Sequence, residues 1–415
     1  MKIFKFGGAS VKNAKSIKNV VRVLKNEGLN NKIVVISAMG KMTNAFEKIV
    51  NSYCDKKEDL PEKILDVREF HDTILNDLFP KKSHPVFTTV EQIFAQMSGF
   101  MAQNTSKDYN YIYDQIVSNG EFLSTHIVSA YLTEIEIENT WIDVRDYIKT
   151  DRSYRDAHVD WEQTKEIISN EIDLHELTIT QGFLGGNEGK TTTLGREGSD
   201  YTAAIFAYCL NAESVTIWKD VDGVLNADPR HFQDTILLNK ISYEEAIELA
   251  FYGASVIHPK TLKPLENKLI PLQVRSFLNL ENKGTIVKKG IDILPRVPCC
   301  ILKKNQVFIS ISALDFSFMV EHNLSDVFKE LHKYRLKVNL IQNSALSFSV
   351  CVEDNFNNFN TFLKDVKAKY KVTYNKGVTL FTIRHFDSKA ISEIEKKHKV
   401  LLKQISTETI QIVVE

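Results

Sequence analysis

The sequence predicts an α/β fold with a mostly parallel sheet between helices, followed by a smaller α+β region. Three observations predict this division. Short β-branched runs alternate with helical periodicity, glycine-rich turns follow several of these runs, and the pattern changes to closely spaced strands beyond residue 298. Alternating strands and helices are typical of βαβ units, whereas the order β, α, β, β, α, β is typical of a ferredoxin-like module.

The N-terminal elements are a predicted strand at 2–6, a helix at about 14–27 and a strand at 32–37. Residues 43–118 are polar and helical, and we interpret them as a helical insertion on the sheet, with a lid or an acceptor-binding lobe as the functional alternative. Strands then return at 140–144, 177–183, 214–218 and 270–274, with helices at 202–210 and 243–252. This predicts one domain over residues 1–290.

Two prolines within 291–298 predict a linker, and residues 299–415 form the second predicted region. Its first module has predicted strands at 307–312, 337–341 and 347–352, with helices at 324–334 and 356–370. A partial second copy has strands at 378–384, 400–405 and 409–414 around a helix at 388–397. Open strand edges in such modules favour pairing within or between chains.

Composition excludes several classes of function. The 415 residues carry 52 Lys+Arg and 53 Asp+Glu, so the net charge of −1 argues against nucleic-acid or membrane partners. The five cysteines show no disulfide framework and no zinc-ligand spacing, so we expect reduced thiols. Without an apolar leader or a stretch of about 20 apolar residues, we expect a cytoplasmic protein.

The most informative segment runs from Gly182 to Ala203, where repeated glycines precede Ser199 and Asp200. We expect Ser199 and Asp200 to be N-caps of a helix that begins near Tyr201. A glycine-rich turn that opens a helix brings backbone N–H groups and the positive helix end to an anion. Because Asp200 repels a bare phosphate, the pattern favours a phosphoryl-transfer site with Mg²⁺ and nearby cations.

Two further segments strengthen this interpretation. Lys5 precedes Gly7 and Gly8 directly after a strand, where the lysine can stabilise a transferring phosphoryl group. The segment 218–230 carries Asp220, Asp222, Asp228 and Arg230 after another strand, as in a nucleotide-binding loop. Each segment has a simpler alternative, a tight turn or a surface turn. Neither glycine turn matches the P-loop or the dinucleotide-binding pattern.

Six motifs together make the sequence resemble the aspartokinases of the amino acid kinase family. KFGGAS (5–10) resembles the family's KFGGTS, NGEFLS (119–124) its SxGExxS, and TTTLGREGSDYTA (191–203) its TTLGRGGSDYTA. SAMGKMTN (37–44), DVDGVLNADPR (220–230) and FYGASVIHPKTL (251–262) complete the series in family order. The C-terminal region resembles the paired ACT modules of these enzymes. The resemblance therefore implies the amino acid kinase fold followed by ACT-like modules.

This resemblance assigns roles to numbered positions. Lys5 and Asp200 would be catalytic, and ATP with Mg²⁺ would be the phosphoryl donor. The implied nucleotide-binding residues are Lys5, Gly7, Gly8, Ser10, Ser199, Lys219, Asp220, Leu225, Arg230 and Ser255. The implied aspartate-binding residues are Ser37, Thr43, Glu121 and Arg155. Arg suits carboxylate recognition, but Arg145 is an alternative to Arg155, and an exposed helix face is the simpler explanation for either.

The implied activity is ATP-dependent phosphorylation of L-aspartate to 4-phospho-L-aspartate, the first step of lysine, threonine and methionine biosynthesis. The acceptor carboxylate is already a nucleophile at neutral pH, so no general base is expected. The ACT-like region implies a homodimer. The alternatives are an amino-acid-sensing regulatory subunit with a degenerate kinase domain and another amino acid kinase such as glutamate 5-kinase.

Several residues depart from the family pattern. Ala9, Glu197, Lys219, Leu225 and Ser255 replace residues usual around the nucleotide, and Lys219 or Lys260 offers compensating charge. In the first C-terminal module, Asn339 and Ala345 stand where lysine-sensing relatives have carboxylates. We therefore predict that lysine inhibits weakly or not at all, and the simpler role of this module is dimerisation.

Overall fold

The computed structural model describes residues 1–173, 175–254, 257–315 and 317–415, and the chain forms two compact units. The first unit comprises Met1–Val224, Leu237–Ile247 and Ile257–Ile293. The second comprises Leu225–Ile236, Glu248–Val256 and Leu294–Glu415. Each unit is therefore assembled from separate segments of the chain. The predicted α/β fold with a following α+β region is confirmed, while the predicted domain limits stay a prediction.

The first unit is built around an eight-stranded sheet. The unit has ten strands among the described residues, eight in this sheet and two in a separate hairpin. They are β1 (Lys2–Phe6), β2 (Lys32–Ile36), β3 (Thr140–Ile142), β4 (Leu177–Gln181), β5 (Leu184–Asn187), β6 (Lys190–Thr193), β7 (Ser214–Lys219), β8 (Lys240–Ile241), β9 (Leu272–Ser276) and β10 (Thr285–Val287). The order in the sheet is β3-β4-β2-β1-β7-β9-β10-β8, and β5 and β6 form the separate hairpin. Strand β1 runs parallel to both β2 and β7, which brings the carboxyl ends of these strands to one edge.

Helices connect and cover these strands. They are α1 (Ala14–Glu27), α2 (Met42–Cys54), α3 (Leu60–Leu78), α4 (Pro85–Gln103), α5 (Tyr109–Val117), α6 (Asn119–Glu134), α7 (Val144–Tyr147), α8 (Trp161–Glu171), α9 (Gly198–Leu210), α10 (Tyr243–Tyr252) and α11 (Pro259–Asn267). Helices α2 to α5 are the predicted insertion. Within the described ranges, no helix is long and apolar enough to cross a membrane.

Strand β1 is anchored by aromatic packing. Phe4 and Phe6 are buried, and their ring centroids lie 5.7 and 6.1 Å from that of Trp218 on β7. Because side chains alternate along a strand, Lys5 points to the opposite face. The core contact therefore fixes the strand that carries Lys5.

The second unit contains one six-stranded antiparallel sheet with helices. Its elements are β11 (Cys299–Ser312), α12 (Glu321–Lys333), β12 (Lys337–Asn343), β13 (Ser347–Glu353), α13 (Phe359–Lys367), β14 (Lys371–Arg384), α14 (Ser388–Lys397), β15 (Val400–Ile405) and β16 (Thr409–Val414). The strand order is β12-β13-β11-β14-β16-β15. The predicted order β, α, β, β, α, β is therefore confirmed.

Strands β11 and β14 are longer than the sequence predicts. Each has 14 residues, and the two pair along nearly their whole length, with an irregular register between Lys303 and Val307. Strand β14 therefore completes the first module and also begins the second. This sharing explains why only a partial second copy is visible in the sequence.

Candidate active site

A cavity of about 600 Å³ lies in the first unit at the carboxyl edge of the parallel strands. Strand β1 lies between β2 and β7, so the strand order reverses at this point. Such reversals in α/β sheets create the crevices where ligands bind. The lining residues are Lys5, Ser37, Thr43, Asn44, Tyr113, Glu121, Arg155, Phe183, Gly195, Arg196, Glu197, Gly198, Ser199, Asp200 and Lys219.

Eight of the sequence-predicted site residues line this cavity. They are Lys5, Ser37, Thr43, Glu121, Arg155, Ser199, Asp200 and Lys219. Gly7 and Gly8 lie at the adjoining 3-10 turn (Gly8–Val11), and Ser10 is buried with its hydroxyl 3.5 Å from the Trp218 carbonyl. The structure therefore brings the predicted catalytic pair and all four predicted acceptor residues to one cavity.

Other predicted nucleotide residues are not among those that line this cavity. Asp220 is exposed after β7, whereas Leu225 and Arg230 belong to the second unit. The Arg230 guanidinium pairs with Asp228 at 2.5 Å, and this hydrogen bond lowers the pKa of Asp228 to about 2. Ser255 lies outside the described residues. A nucleotide role for these residues stays a prediction.

Lys5 and Asp200 form an ion pair inside the cavity. The Lys5 ammonium lies 2.6 Å from the Asp200 carboxylate, and the side chains are 11% and 3% exposed. Asp200 lies in the first turn of α9, where the positive end of the helix also favours a negative charge. The ion pair therefore keeps the Lys5 ammonium at the cavity wall, with its positive charge compensated by the Asp200 carboxylate.

The start of α9 corrects one sequence prediction. Ser199 and Asp200 are not N-caps, because the helix begins at Gly198 and Glu197 takes the N-cap position without a side-chain cap. Glu197 has a φ of 53°, a left-handed conformation that favours glycine. Glycine at Gly182 is required sterically, since a Cβ there would overlap Ser199. The close packing of this turn places Ser199 and Asp200 in the helix.

Glu121 is a buried carboxyl group at the start of α6. The residue is 2% exposed, and its Oε1 accepts a hydrogen bond of 3.3 Å from the Ala38 N–H. Its Oε2 has no hydrogen-bond partner among the described residues. Burial raises the pKa of Glu121 to about 8. Because an unpaired buried carboxylate is costly, this position suits a cationic ligand group.

Arg155 offers its guanidinium to the cavity. Its charge lies 3.5 Å from Glu47, and its Cζ is 4.3 Å from the ring centroid of Tyr113. The rival residue Arg145 is instead held by three hydrogen bonds to Asp143, and it lines a different cavity. Arg155 therefore lines the cavity that holds the other predicted acceptor residues and Arg145 lines another, while a carboxylate-binding role for either stays a prediction.

The sequence analysis missed two residues at or beside the cavity, Tyr113 and Asp114. Tyr113 lines the cavity, and Asp114 on the same helix is 0% exposed. The Asp114 carboxylate accepts hydrogen bonds from the backbone and hydroxyl of Thr193 and from the Arg155 N–H. Burial raises the pKa of Asp114 to about 6, against the opposing effect of these bonds. An acidic residue within the apolar run YIYDQIV was the available signal.

Lys260 was considered as a source of compensating charge. Its ammonium lies 2.6 Å from Asp156 and 3.1 Å from the Leu194 carbonyl, so it braces the loop beside the cavity. Lys219, in contrast, lines the cavity. Lys219 is therefore the better candidate for an additional phosphate contact.

Residues 1–276 match the amino acid kinase family. The lysine-sensitive aspartokinase 3 of Escherichia coli (strain K12) is 30% identical over 85% of this chain and 78% of its own length. The bifunctional aspartokinase/homoserine dehydrogenase 2 of Arabidopsis thaliana is 31% identical over 69% of this chain. The matched region covers 32% of that relative's length. The structure of E. coli aspartokinase III with aspartate and ADP has a TM-score of 0.79 at 26% identity, covering 100% of this chain and 96% of that one.

Proposed function

The chain belongs to the amino acid kinase family and, within it, to the aspartokinases, and we propose that it phosphorylates L-aspartate with ATP. The product would be 4-phospho-L-aspartate, the first intermediate in making lysine, threonine and methionine. One observation carries the proposal. A single cavity combines the Lys5–Asp200 pair with Arg155 and a buried carboxyl oxygen of Glu121 that has no partner among the described residues.

The nucleotide side of the cavity has two features that suit phosphate. Lys5 supplies a nearly buried positive charge, and α9 begins at the cavity with Gly198 and Ser199 among the lining residues, so the positive end of the helix lies there. Incoming phosphate oxygens would compete with Asp200 for the Lys5 ammonium. The cation is then positioned to stabilise the charge that develops on the transferring phosphoryl group.

The acceptor side suits an amino acid with two carboxylates. Arg155 would bind one carboxylate, because its planar guanidinium matches two carboxylate oxygens. Glu121 would bind the ammonium, which also removes the cost of its unpartnered Oε2. Ser37 and Thr43 line the same cavity and offer hydroxyl groups. The second carboxylate of the substrate remains available as the nucleophile.

The reaction follows from positioning and charge. An oxygen of the aspartate side chain attacks the γ-phosphorus of ATP, the bond to the bridging oxygen breaks, and ADP leaves. The carboxylate has no proton to lose, so no general base is needed. Lys5 stabilises the phosphoryl oxygens during transfer, while Arg155 and Glu121 hold the acceptor in line.

Mg²⁺ is part of this proposal as a partner of the ATP phosphates. The described residues contain no group of three or more His, Cys, Asp and Glu side chains that could hold a metal ion. The Asp200 carboxylate is already paired with Lys5, which fits a cation carried mainly by phosphate oxygens and water. When bound, Mg²⁺ would neutralise phosphate charge.

We propose that the chain forms a homodimer through its C-terminal sheet and acts in the cytoplasm. Strand β12 ends the sheet order, so one of its edges has no paired strand among the described residues. Ile341 on this strand and Leu346, three residues after its end, are 44% and 47% exposed. An open edge with exposed apolar residues favours pairing with a second copy. The proposed location rests on the sequence, whose five cysteines show no disulfide framework.

Trapping the product with hydroxylamine tests the activity. Purified protein with Mg-ATP should convert aspartate, and glutamate far less, to the coloured hydroxamate. Glutamate as the preferred substrate would instead indicate another amino acid kinase. Folded protein that binds neither substrate and yields no hydroxamate would contradict the proposal and support the regulatory-subunit alternative.

A further inference from the structure

The second unit contains a cavity of about 500 Å³ that the proposed function does not use. It is bounded by helix α14, by strands β11 and β14 and by the segment Leu225–Ile236, and we call it the α14 cavity. Its volume lies within the range of small-ligand sites. We propose that the α14 cavity binds a small carboxylate with an apolar body.

The cavity lies where the second module has less helical cover than the first. In the first module, α12 and α13 both pack on the sheet, and Phe359 and Phe362 of α13 are buried in its core. The second module has α14 alone among the described residues. The segment Leu225–Ile236 adds cover through Phe232, which packs on the apolar cluster of this module. The sheet face between this segment and α14 forms the cavity floor.

The floor of the α14 cavity is apolar. Cys300 and Leu302 lie two residues apart on β11, so their side chains share one face of the sheet. Leu302 pairs with Phe381 on β14, and Ile394 of α14 lines the same cavity. Phe381 and Ile394 are each 8% exposed. These side chains can bury the apolar body of a ligand, which supplies most of its binding free energy.

Helix α14 runs along the cavity in the same direction as β11. Burial and, to a lesser degree, Asp387 at the N-cap of α14 raise the pKa of the Cys300 thiol to about 11, so the helix begins near this residue. His398, just after the helix, has its ring centroid 5.5 Å from that of Phe381. The later residues of β11 and of α14 therefore approach the same end of the cavity.

That end of the cavity carries an excess of positive charge. Lys304 on β11 and Lys397 on α14 line it, and neither forms an ion pair among the described residues. Glu393 is the carboxylate among the described lining residues, so two ammonium groups face one negative charge. Arg230 also lines the cavity, but Asp228 compensates its charge at 2.5 Å.

This charge balance selects the class of ligand. One uncompensated positive charge matches a monocarboxylate, whereas a phosphate group brings close to two negative charges. The carboxylate would lie between Lys304 and Lys397, with the apolar body over Leu302 and Phe381. Asn339, where lysine-sensing relatives have a carboxylate, does not line this cavity. The proposed ligand site is therefore separate from that position.

Calorimetric titration of the full-length protein with 3-phenylpropanoate tests the inference, with the uncharged 3-phenylpropanamide as the matched ligand. We expect a Kd below about 1 mM for the carboxylate and binding at least about tenfold weaker for the amide. No nucleotide or aspartate is needed. The result is therefore independent of the hydroxamate assay, and either proposal can fail alone.

Variants locate the binding at the α14 cavity. Lys304→Gln and Lys397→Gln should each weaken carboxylate binding by about threefold, because each removes one exposed charge. Ala390→Phe should abolish binding, since Ala390 lines the cavity and the larger ring would fill it. Lys396→Gln is the control, because Lys396 is exposed on the same helix but does not line the cavity. It should bind like the wild type.

Several outcomes would overturn the inference. These are no binding of 3-phenylpropanoate at about 10 mM, equal binding of the amide, or equal weakening by Lys396→Gln and Lys397→Gln. A synthetic helical peptide of Glu and Leu that binds in place of the carboxylate, with the same dependence on Lys397, would instead indicate a protein partner. If Ala390→Phe does not fold, the comparison of Lys397→Gln with Lys396→Gln decides the question.

Discussion

At the scale of single residues, Lys5 and Asp200 compensate each other's charge in a nearly buried position. Their ion pair is 2.6 Å long with little exposure on either side. Lys5→Met would leave a buried carboxylate without its cation, which costs about 3–5 kcal/mol of unfolding free energy. We expect both Lys5→Met and the double variant Lys5→Met/Asp200→Asn to be inactive, but the double variant to unfold at higher urea concentration.

Urea unfolding of both variants with the wild type checks this coupling. Equal losses of unfolding free energy in the single and double variants would show that burial of the Asp200 charge is not what Lys5 stabilises. The activity loss would then need another explanation.

Glu121 predicts a pH dependence of aspartate binding. Burial raises its pKa to about 8, so the carboxyl group gains a proton as the pH falls through that value. The neutral group attracts an ammonium less, and we expect KM for aspartate to rise on the order of tenfold from about pH 8.5 to about pH 6.5. Glu121→Gln should have a high KM that varies little over this range.

Thermal unfolding without substrate gives an independent check of the same group. A raised pKa means that Glu121 costs stability as the pH rises from the ordinary range of glutamate through about 8. Glu121→Gln should therefore gain stability relative to the wild type at about pH 8.5, and gain little at about pH 5. A gain that is the same at both pH values would contradict the assignment.

At the scale of elements, the turns after β1 and β2 approach too closely for a side chain at Gly8. A Cβ there would lie 2.5 Å from the Gly40 carbonyl oxygen and 2.8 Å from that of Ala38. Gly8→Ala should separate the two turns, cost about 1–3 kcal/mol of unfolding free energy and raise KM for ATP. Gly99→Ala in α4 is the matched control, because a Cβ there meets no atom within 4 Å.

Calorimetry and initial rates distinguish these two substitutions. Gly99→Ala should stabilise by up to about 1 kcal/mol through helix propensity and leave both KM values unchanged. Wild-type kinetics and stability in Gly8→Ala would show that the turns can move apart without consequence.

The contact between β11 and β12 bears on inhibition by lysine. The Lys303 ammonium donates to the Asn339 amide oxygen at 2.7 Å, and the Asn339 NH₂ donates to Gln306 at 2.7 Å. Both ends of this amide are therefore engaged within the module, and no carboxylate at 339 can attract an external ammonium. We expect millimolar lysine to leave the activity unchanged, with the lysine-sensitive E. coli enzyme as the positive control. Inhibition at submillimolar lysine would contradict this.

Local signals explain which elements the sequence predicted well. Helix α1 has the predicted bounds because Asn13 accepts from the Ser16 N–H at its start and Gly28 ends it with a φ of 83°. Helix α14 likewise begins after Asp387, which accepts from the Ala390 N–H. Strand β11 was predicted only from residue 307, because the polar residues 303–306 break the alternation where the register is irregular.

The same distinction between local and distant signals applies to the residues of the candidate site. Residues within sequence motifs were found, because their chemistry and their neighbours in the chain carry the signal. Asp114 was missed, because its partners Thr193 and Arg155 are 79 and 41 residues away. An acidic residue on a helix is ordinarily exposed, and only the tertiary fold shows three donors around this one.

At the scale of the whole molecule, the edge of β12 predicts the assembly state. Ile341 lies on this strand and is 44% exposed, so Ile341→Lys would place a charge in the proposed interface. We expect the wild type to sediment as a dimer and Ile341→Lys as a monomer at micromolar concentration. Leu65→Lys is the control, because Leu65 is 52% exposed on α3 of the other unit. A monomeric wild type, or dissociation by both substitutions, would contradict the prediction.

In the sequence, the segment Leu225–Ile236 lies between two segments of the first unit, but it belongs to the second compact unit. Its Asn226 carbonyl accepts from the Cys300 N–H at 2.7 Å, and Phe232 packs on the buried cluster around Phe381 and Ile394. A gene fusion or deletion near codon 293 would therefore leave Phe232 behind without its packing partners and the C-terminal sheet without part of its cover. The C-terminal unit is thus poorly suited to exchange between genes as a cassette, and its inheritance is tied to that of the kinase sequence.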